Sequence, residues 1–357
     1  MKNKFSHLFQ AAVILFTFPI HNSLAQNITS YQPAYREFKD WVVGCNNTGS
    51  CTVQSANEQN KFELSIEREA GAKGRLQITL LAGEEKQQYT TLSADSKPIR
   101  ADKKYWSKND FEWQSNDVMY ILALINVIKN NSRLQWSENY NREASISLQG
   151  LTASLLFVDE QQKRLNTPTA FIKRGNKPEA NIPPAAPATK VIQPTDKLSL
   201  LTQKQTQQLI QSVRKTHAKL LKDEDCIPEN ESFDSASKLN QQEALVSIGC
   251  WQGAYNTSSF IFRTPINAPE KAKQLILYFP GTVDKATNKK NSVTIFTNTD
   301  YDVKTRIVSM YAKSRGIGDC GESASWQFDG KQFNLISWNY MGICAGSVNW
   351  LPLWISK

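Results

Sequence analysis

The sequence predicts an α+β protein made of two sheet-dominated domains with a few helices, joined by a Pro-rich linker. Three observations carry that expectation. Period-two alternation of apolar and polar residues recurs along the chain, most clearly at Phe62, Leu64 and Ile66 and again at Leu76, Ile78 and Leu80. Only short stretches carry helical signals. A run with Pro178, Pro183, Pro184, Pro187 and Pro194 separates the two halves and favours extended, semi-rigid backbone. The expected layout is a leader over 1–25, a β-rich α+β domain over 31–174, a Pro/Ala-rich linker over 175–197 and a disulfide-bearing α+β domain over 198–357.

The leader begins with Lys2 and Lys4, continues through an apolar stretch at 11–20 and ends in Ser23-Leu24-Ala25. The apolar stretch is too short for a bilayer, and the small residues suit a signal peptidase, so removal before Gln26 is expected rather than an anchor helix. Losing two Lys would lower the net charge from +9 to +7. The 357 residues suffice for two cores, and 40% hydrophobic with 21% charged residues excludes a disordered chain.

In the first half, Trp41, Val43 and Cys45 share one face of an early strand. Residues 118–128 (VMYILALINVI) form a buried helix, capped by Ser115 or Asn116. Ile146 and Leu148 belong to a late strand ended by Gly150; a short helix runs through Leu155, and a last strand covers 170–172. In the second half, Thr202 and Gln205 make a capping box for a helix with Leu209, Ile210, Val213, Leu220 and Leu221 as its apolar stripe. Strands are expected at 244–248, 259–262, 275–279, 293–296 and 303–311. A final hairpin turns at Asp329-Gly330 in type I′ geometry.

Six Cys remain in the mature chain: Cys45, Cys51, Cys226, Cys250, Cys320 and Cys344. An even number in an exported chain implies three disulfides. The linker leaves Cys45 and Cys51 as natural partners. The other four allow three pairings, of which the neighbours Cys226–Cys250 and Cys320–Cys344 are preferred. No C-x-x-C spacing speaks for zinc or for a redox pair.

Several motifs bear on chemistry. Residues 316–321 match G-x-G-x-x-G, but a hairpin rather than a helix follows, so the stretch reads as a Gly-rich turn held by Cys320. His217 is the one imidazole outside the leader, and it sits near an apolar helix stripe as a structural residue. Carboxylates cluster around Cys226 (Asp223, Glu224, Asp225, Glu229, Glu231) and flank Cys320 (Asp319, Glu322); a facing pair would suit glycoside hydrolysis. Trp251, Tyr255, Trp350 and Trp354 lie beside turns, where aromatics can meet a ligand. The positive charge is spread, with Lys289-Lys290 only a pair, which excludes a nucleic-acid footprint.

Four blocks in order carry a resemblance. They are Phe38-Lys39-Asp40-Trp41-Val42-Val43-Gly44-Cys45 with Cys51; 147–155 with Asp159, Gln161 and Arg164; Cys250-Trp251-Gln252-Gly253-Ala254-Tyr255-Asn256; and 313–321 with Trp326, Gly330, Phe333, Met341, Cys344 and Trp350. From Phe38 onward the chain resembles the exported bacterial proteins catalogued as domain of unknown function 1176, and its first part also resembles the invasion-associated locus B group. The resemblance implies export, a two-part layout and the Cys positions, and no reaction. The candidate binding residues are Trp251, Tyr255, Asn256, Arg315 and Asp319. The expectation is a periplasmic or secreted binding protein without catalytic residues, cofactor, metal or transmembrane segment, whose partner is an envelope protein or an anionic glycan. The alternative is a carboxylate-dependent hydrolase of cell-wall glycan.

Overall fold

The computed structural model describes residues 31–59, 62–82, 91–102, 104–109, 111–138, 142–226, 232–283 and 290–357. The leader, Glu229, Glu231 and Lys289 lie outside them. β1 (Ala34–Phe38), β2 (Trp41–Cys45), β3 (Cys51–Ser55), β4 (Phe62–Arg68) and β5 (Leu76–Ala82) pair antiparallel in chain order. β6 (Thr91–Ala94) and β7 (Lys97–Ile99) leave for a second sheet, and β8 (Ser107–Lys108) and β9 (Glu112–Ser115) return to the first. After α1 (Val118–Ile128), β10 (Arg133–Glu138) and β11 (Arg142–Ser147) complete the second sheet, followed by α2 (Leu151–Gln161). Alternation predicts the inner face of the first sheet well. Leu64, Ile66, Ile78, Leu80 and Trp113 point into a core closed by Ile121 and Ile125 of α1 and Leu151 and Leu155 of α2.

The second half opens with α3 (Gln203–Thr216) and α4 (Ala218–Asp223). The Thr202–Gln205 capping box is present in both directions. A sheet follows, of β12 (Ser235–Lys238), β13 (Glu243–Gln252), β14 (Thr257–Pro265) and β15 (Lys273–Gln274). β16 (Leu277–Val283) pairs with β17 (Lys290–Val293), and β18 (Phe296–Thr297) joins β14. β19 (Asp300–Asp302), β20 (Ile307–Lys313), β21 (Gly321–Phe328), β22 (Phe333–Met341) and β23 (Leu351–Trp354) form the last sheet. Period two divides β13 and β14 between two cores. Val246, Ile248, Phe260 and Phe262 face Leu209 and Val213 of α3, whereas Leu245 and Ile261 face Trp326 and Trp338 of the last sheet. The protein is thus α+β and dominated by sheets. No helix among the described residues is long and apolar enough to cross a membrane.

Several expected elements differ. Residues 170–172 form no strand, because the Phe171 and Ile172 N–H groups donate to the buried Asp159 carboxylate at 2.8 and 2.9 Å instead of to a neighbouring strand. α1 is capped by Asp117, which accepts from the Tyr120 N–H at 2.8 Å; Ser115 still belongs to β9. The strand expected at 275–279 is β16, shifted two residues on, and that expected at 293–296 divides into β17 and β18. The one expected at 303–311 starts at Ile307, because the Asp302 carboxylate accepts from the Lys304 N–H and the Thr305 hydroxyl and closes a turn. The final hairpin has four loop residues rather than the two of a type I′ turn, since Phe328 pairs with Phe333 and Asp329 accepts from both the Lys331 and Gln332 N–H groups.

The two halves meet along an extensive seam. All five residues of β2 are buried, not only the three on its inner face. Val42 packs with Leu351, Met341 and Cys320, and a Cβ on Gly44 would lie 2.8 Å from Leu351 Cβ. Asn47 donates to the Ile355 carbonyl and accepts from the Ile355 N–H, at 3.1 and 2.8 Å. Tyr35 meets Tyr340 edge to face at 4.7 Å. The Pro-rich run adds to this contact instead of standing free as a spacer crossed by few contacts. Ala186 N–H donates to the Thr48 carbonyl and Val191 N–H to the Lys357 carbonyl, while Trp354 donates to the Thr189 hydroxyl.

Candidate binding surface at the seam of the two halves

The site grows from the loop between β20 and β21. Ser314 N–H donates to the Cys320 carbonyl at 3.0 Å and Gly318 N–H to the Arg315 carbonyl at 3.0 Å, so the chain folds back on itself. Gly321 has φ 144° and a Cβ there would lie 2.1 Å from the Ala312 carbonyl oxygen, so glycine is required. The Cys320–Cys344 bond ties this loop to the segment after β22, one of three disulfides with Cys45–Cys51 and Cys226–Cys250. The G-x-G-x-x-G stretch is therefore a turn between two strands, with no helix N-terminus behind it.

Arg315 is the hub. It grips Asp319 with both arms of its guanidinium, Nε to Oδ1 at 2.7 Å and Nη2 to Oδ2 at 2.5 Å. It also donates to Glu58 of the first half at 2.8 Å and to the Cys344 carbonyl at 3.2 Å. The Gly346 N–H adds a further bond to Asp319 at 2.7 Å. The Arg315 guanidinium holds the buried Asp319 carboxyl below the usual carboxylate range. Glu322 differs: burial pushes its carboxyl up, against the 2.8 Å bond donated by Trp338 Nε1. Both carboxylates flanking Cys320 thus have structural partners. Asp319 and the two sulfurs lie within 4.8 Å of one another, but the sulfurs are bonded together and Asp319 is taken by Arg315, so these ligand atoms are committed elsewhere.

The turn between β13 and β14 is pinned onto this loop. Asn256 Nδ2 donates to the Lys313 carbonyl at 2.8 Å and its Oδ1 accepts from Asn298, which also reaches the Tyr311 carbonyl. The Tyr255 hydroxyl donates to the Ser314 carbonyl at 3.2 Å, with Lys313 Nζ 5.5 Å from the ring centre. Trp350 stacks on Tyr311 at 4.8 Å and donates to the Gly318 carbonyl at 3.1 Å. Tyr255 and Tyr311 are each 42% exposed and Ile317 is 68% exposed, so an aromatic and apolar row faces solvent.

Beyond Trp350 a groove of about 360 Å³ opens between the outer face of the first sheet and residues 349–352. Glu63 at its edge accepts from the Ser347 hydroxyl and from Asn349 Nδ2, and burial pushes its carboxyl up.

Of the five candidate residues, the structure brings Tyr255, Asn256, Arg315 and Asp319 together. Trp251 belongs elsewhere, packing on Phe260 at 6.1 Å in the α3 core. Trp354 lies at the Pro-rich run. His217 ends α3, its Nε2 3.1 Å from the Ala272 carbonyl and its ring 4.3 Å from Phe262, a structural position. Asp223 pairs with Lys219 on exposed α4. Tyr311, Lys313 and Glu63 were not among the candidates. Tyr311 reads as the end of a strand, Lys313 as the first residue of the fourth block, and Glu63 as the polar beat of an alternating strand; only contacts with distant segments place them at this surface.

The two halves are thus joined by packing and hydrogen bonds, with each of the three disulfides inside one half. The family described as a protein of unknown function (DUF1176) matches residues 35–357, and the chain belongs to it. It is also 29% identical to an uncharacterised protein, YpfG, of Escherichia coli (strain K12), over 96% of this chain and 98% of that protein. No solved structure matches the chain.

Proposed function

We propose that the chain is an exported cell-envelope protein that binds a partner without transforming it, through the surface at the seam. The observation that carries this is the division of labour in the site. Arg315, Asp319 and Asn256 spend their hydrogen bonds on holding the loop, while Tyr255, Tyr311 and Ile317 face solvent. Charged groups tied up in this way scaffold, and exposed aromatics bind. Three disulfides fit an oxidising compartment, and the leader read from the sequence would deliver the chain there.

The hydrolase reading has one observation in its favour. Leu81 pairs with Glu63 on one side and Glu112 on the other, so two carboxylates flank one residue in register across the groove. One experiment addresses both readings. Mature protein is mixed with purified envelope glycan, and bound and soluble fractions are analysed by sedimentation and mass spectrometry. Co-sedimentation that is lost in Tyr255→Ala/Ile317→Ser, with no new reducing ends, is the expected result. Release of shorter sugars that stops in Glu63→Gln would overturn it in favour of hydrolysis.

A further inference from the structure

The floor of the groove beside Trp350 is the polar outer face of the first sheet, with Thr52, Gln54, Ser65, Glu67 and Thr79 in its lining. On the outer face of the first sheet, Gln54, Ser65, Thr79 and Gln114 lie in one cross-strand row, and Thr52, Glu67 and Gln77 in the next. Neighbouring strands stand about 4.8 Å apart, so these hydroxyl, amide and carboxylate groups form a ladder of hydrogen-bonding positions. The same face is apolar where β23 covers it, at Val42 and Gly44. It turns polar where the cover ends, and there residues 349–352 stand up as a wall with Trp350 in it.

Resting on the binding reading above, we propose that this groove continues that surface past Trp350 and takes a short oligosaccharide that is neutral or amine-bearing, not an acidic one. The volume of about 360 Å³ falls within the range of about 300–1,000 Å³ common for ligand pockets. A ligand dense in hydroxyls matches a lining of Thr52, Ser65, Thr79 and Gln54 better than an apolar molecule does, because buried polar groups need partners. The Trp350 indole, held by Tyr311 and the Gly318 carbonyl, supplies an aromatic wall against which a sugar ring can lie. Carboxylates are the strongest acceptors for hydroxyl and ammonium donors. Among the described lining residues Glu63, Glu67 and Glu112 are acidic and none is Lys or Arg; Arg75 pairs with Glu67 from outside at 3.4 Å. The local field therefore opposes the chain's positive net charge, and at the contact the local field decides. This selects against the anionic glycan that net charge alone suggests.

The test uses the mature chain and three probes followed by calorimetric titration: a glucosamine trimer, its N-acetylated form and a galacturonate trimer. The glucosamine trimer should bind at least about tenfold more tightly than the acidic one, and Glu112→Gln and Thr79→Val should each weaken it by roughly three- to tenfold. Both positions lie on the open sheet face, and an unchanged melting temperature shows that the variants fold. Equal or tighter binding of galacturonate overturns the proposal, as does binding that ignores both substitutions. Binding lost in Tyr255→Ala/Ile317→Ser but not in Glu112→Gln or Thr79→Val places the ligand on the aromatic row instead: the groove then fails while the binding reading stands. Cleavage of the trimer that stops in Glu63→Gln keeps the groove and its ligand and overturns only the non-catalytic reading.

Discussion

Two regions of the second half are built on one plan and serve different ends. In each, a disulfide closes a sequence separation of 24 residues, Cys226–Cys250 in one and Cys320–Cys344 in the other. Each has an Arg gripping a buried Asp with two hydrogen bonds, Arg214 on Asp234 and Arg315 on Asp319. Each Asp also accepts from a glycine N–H, Gly249 or Gly346. Around Cys226–Cys250 the plan serves a core, for the bond joins the end of α4 to β13 beneath α3. Around Cys320–Cys344 it serves a surface and a joint, because Arg315 has a further arm for Glu58 and Cys320 packs with Val42 and Leu351. The same local chemistry gains a long-range role when the chain folds a distant segment against it.

The largest effect that separates the two regions is loss of a disulfide. Loop-closure entropy gives about 3–4 kcal/mol for either bond. Both Cys226→Ser and Cys320→Ser should therefore lower the melting temperature by roughly 5–15 °C. Only Cys320→Ser should also expose the segment around residue 347 to proteolysis and weaken ligand binding. Equal protease sensitivity in both variants would erase the distinction.

Next in size is Arg315→Ala, which removes the two-armed partner of the buried Asp319 carboxylate while its guanidinium faces solvent, and it should lower the melting temperature by less than loss of the disulfide. Arg214→Ala should cost a similar amount through Asp234, whose side chain is 4% exposed. The comparison sharpens on acidification. The Asp319 carboxyl lies below its ordinary value in the folded chain, so its contribution is present above the unfolded pKa and fades as pH falls through the folded one. In Arg315→Ala that acid-sensitive share of stability should be missing from a melting series run from neutral to acidic pH.

Glu63 should behave with the opposite sign. Its carboxyl lies above the ordinary value, so the contribution is present at low pH and is lost as pH rises through the folded pKa. Glu63→Gln should thus match the wild type in acid and melt higher than it at neutral pH. A Gln variant that melts lower at neutral pH would show that the ionised carboxylate is stabilising. The smallest effect expected is that of Glu58→Ala. The Arg315–Glu58 pair is open to solvent, with Glu58 63% exposed, and exposed pairs contribute about 0–1 kcal/mol.

Much of this fold can be read along the chain wherever the cause is local. Phe62, Leu64 and Ile66 alternate because one face of β4 meets a core, and Thr202 with Gln205 caps α3 within three residues. Legibility fails where the partner is distant. Val42 and Gly44 look like an ordinary outer face until Leu351 covers them, and Phe171 looks like a strand residue until Asp159 takes its N–H. The site follows the same rule. Tyr255, Asn256, Arg315 and Asp319 could be picked out from turns and blocks, whereas Glu63 is the polar beat of an alternating strand and nothing local marks Glu112. Their groove exists only because residues 349–352 close it.

The central claim is that the seam makes one unit of the two halves and so builds the surface between them. Differential scanning calorimetry of the mature chain, with and without Leu351→Asp, tests this most directly. The wild type should unfold in a single transition whose calorimetric and van't Hoff enthalpies agree, and Leu351→Asp should split it into two. Two separate transitions in the wild type, or a Cys320→Ser variant in which the first half melts unchanged, would contradict the account.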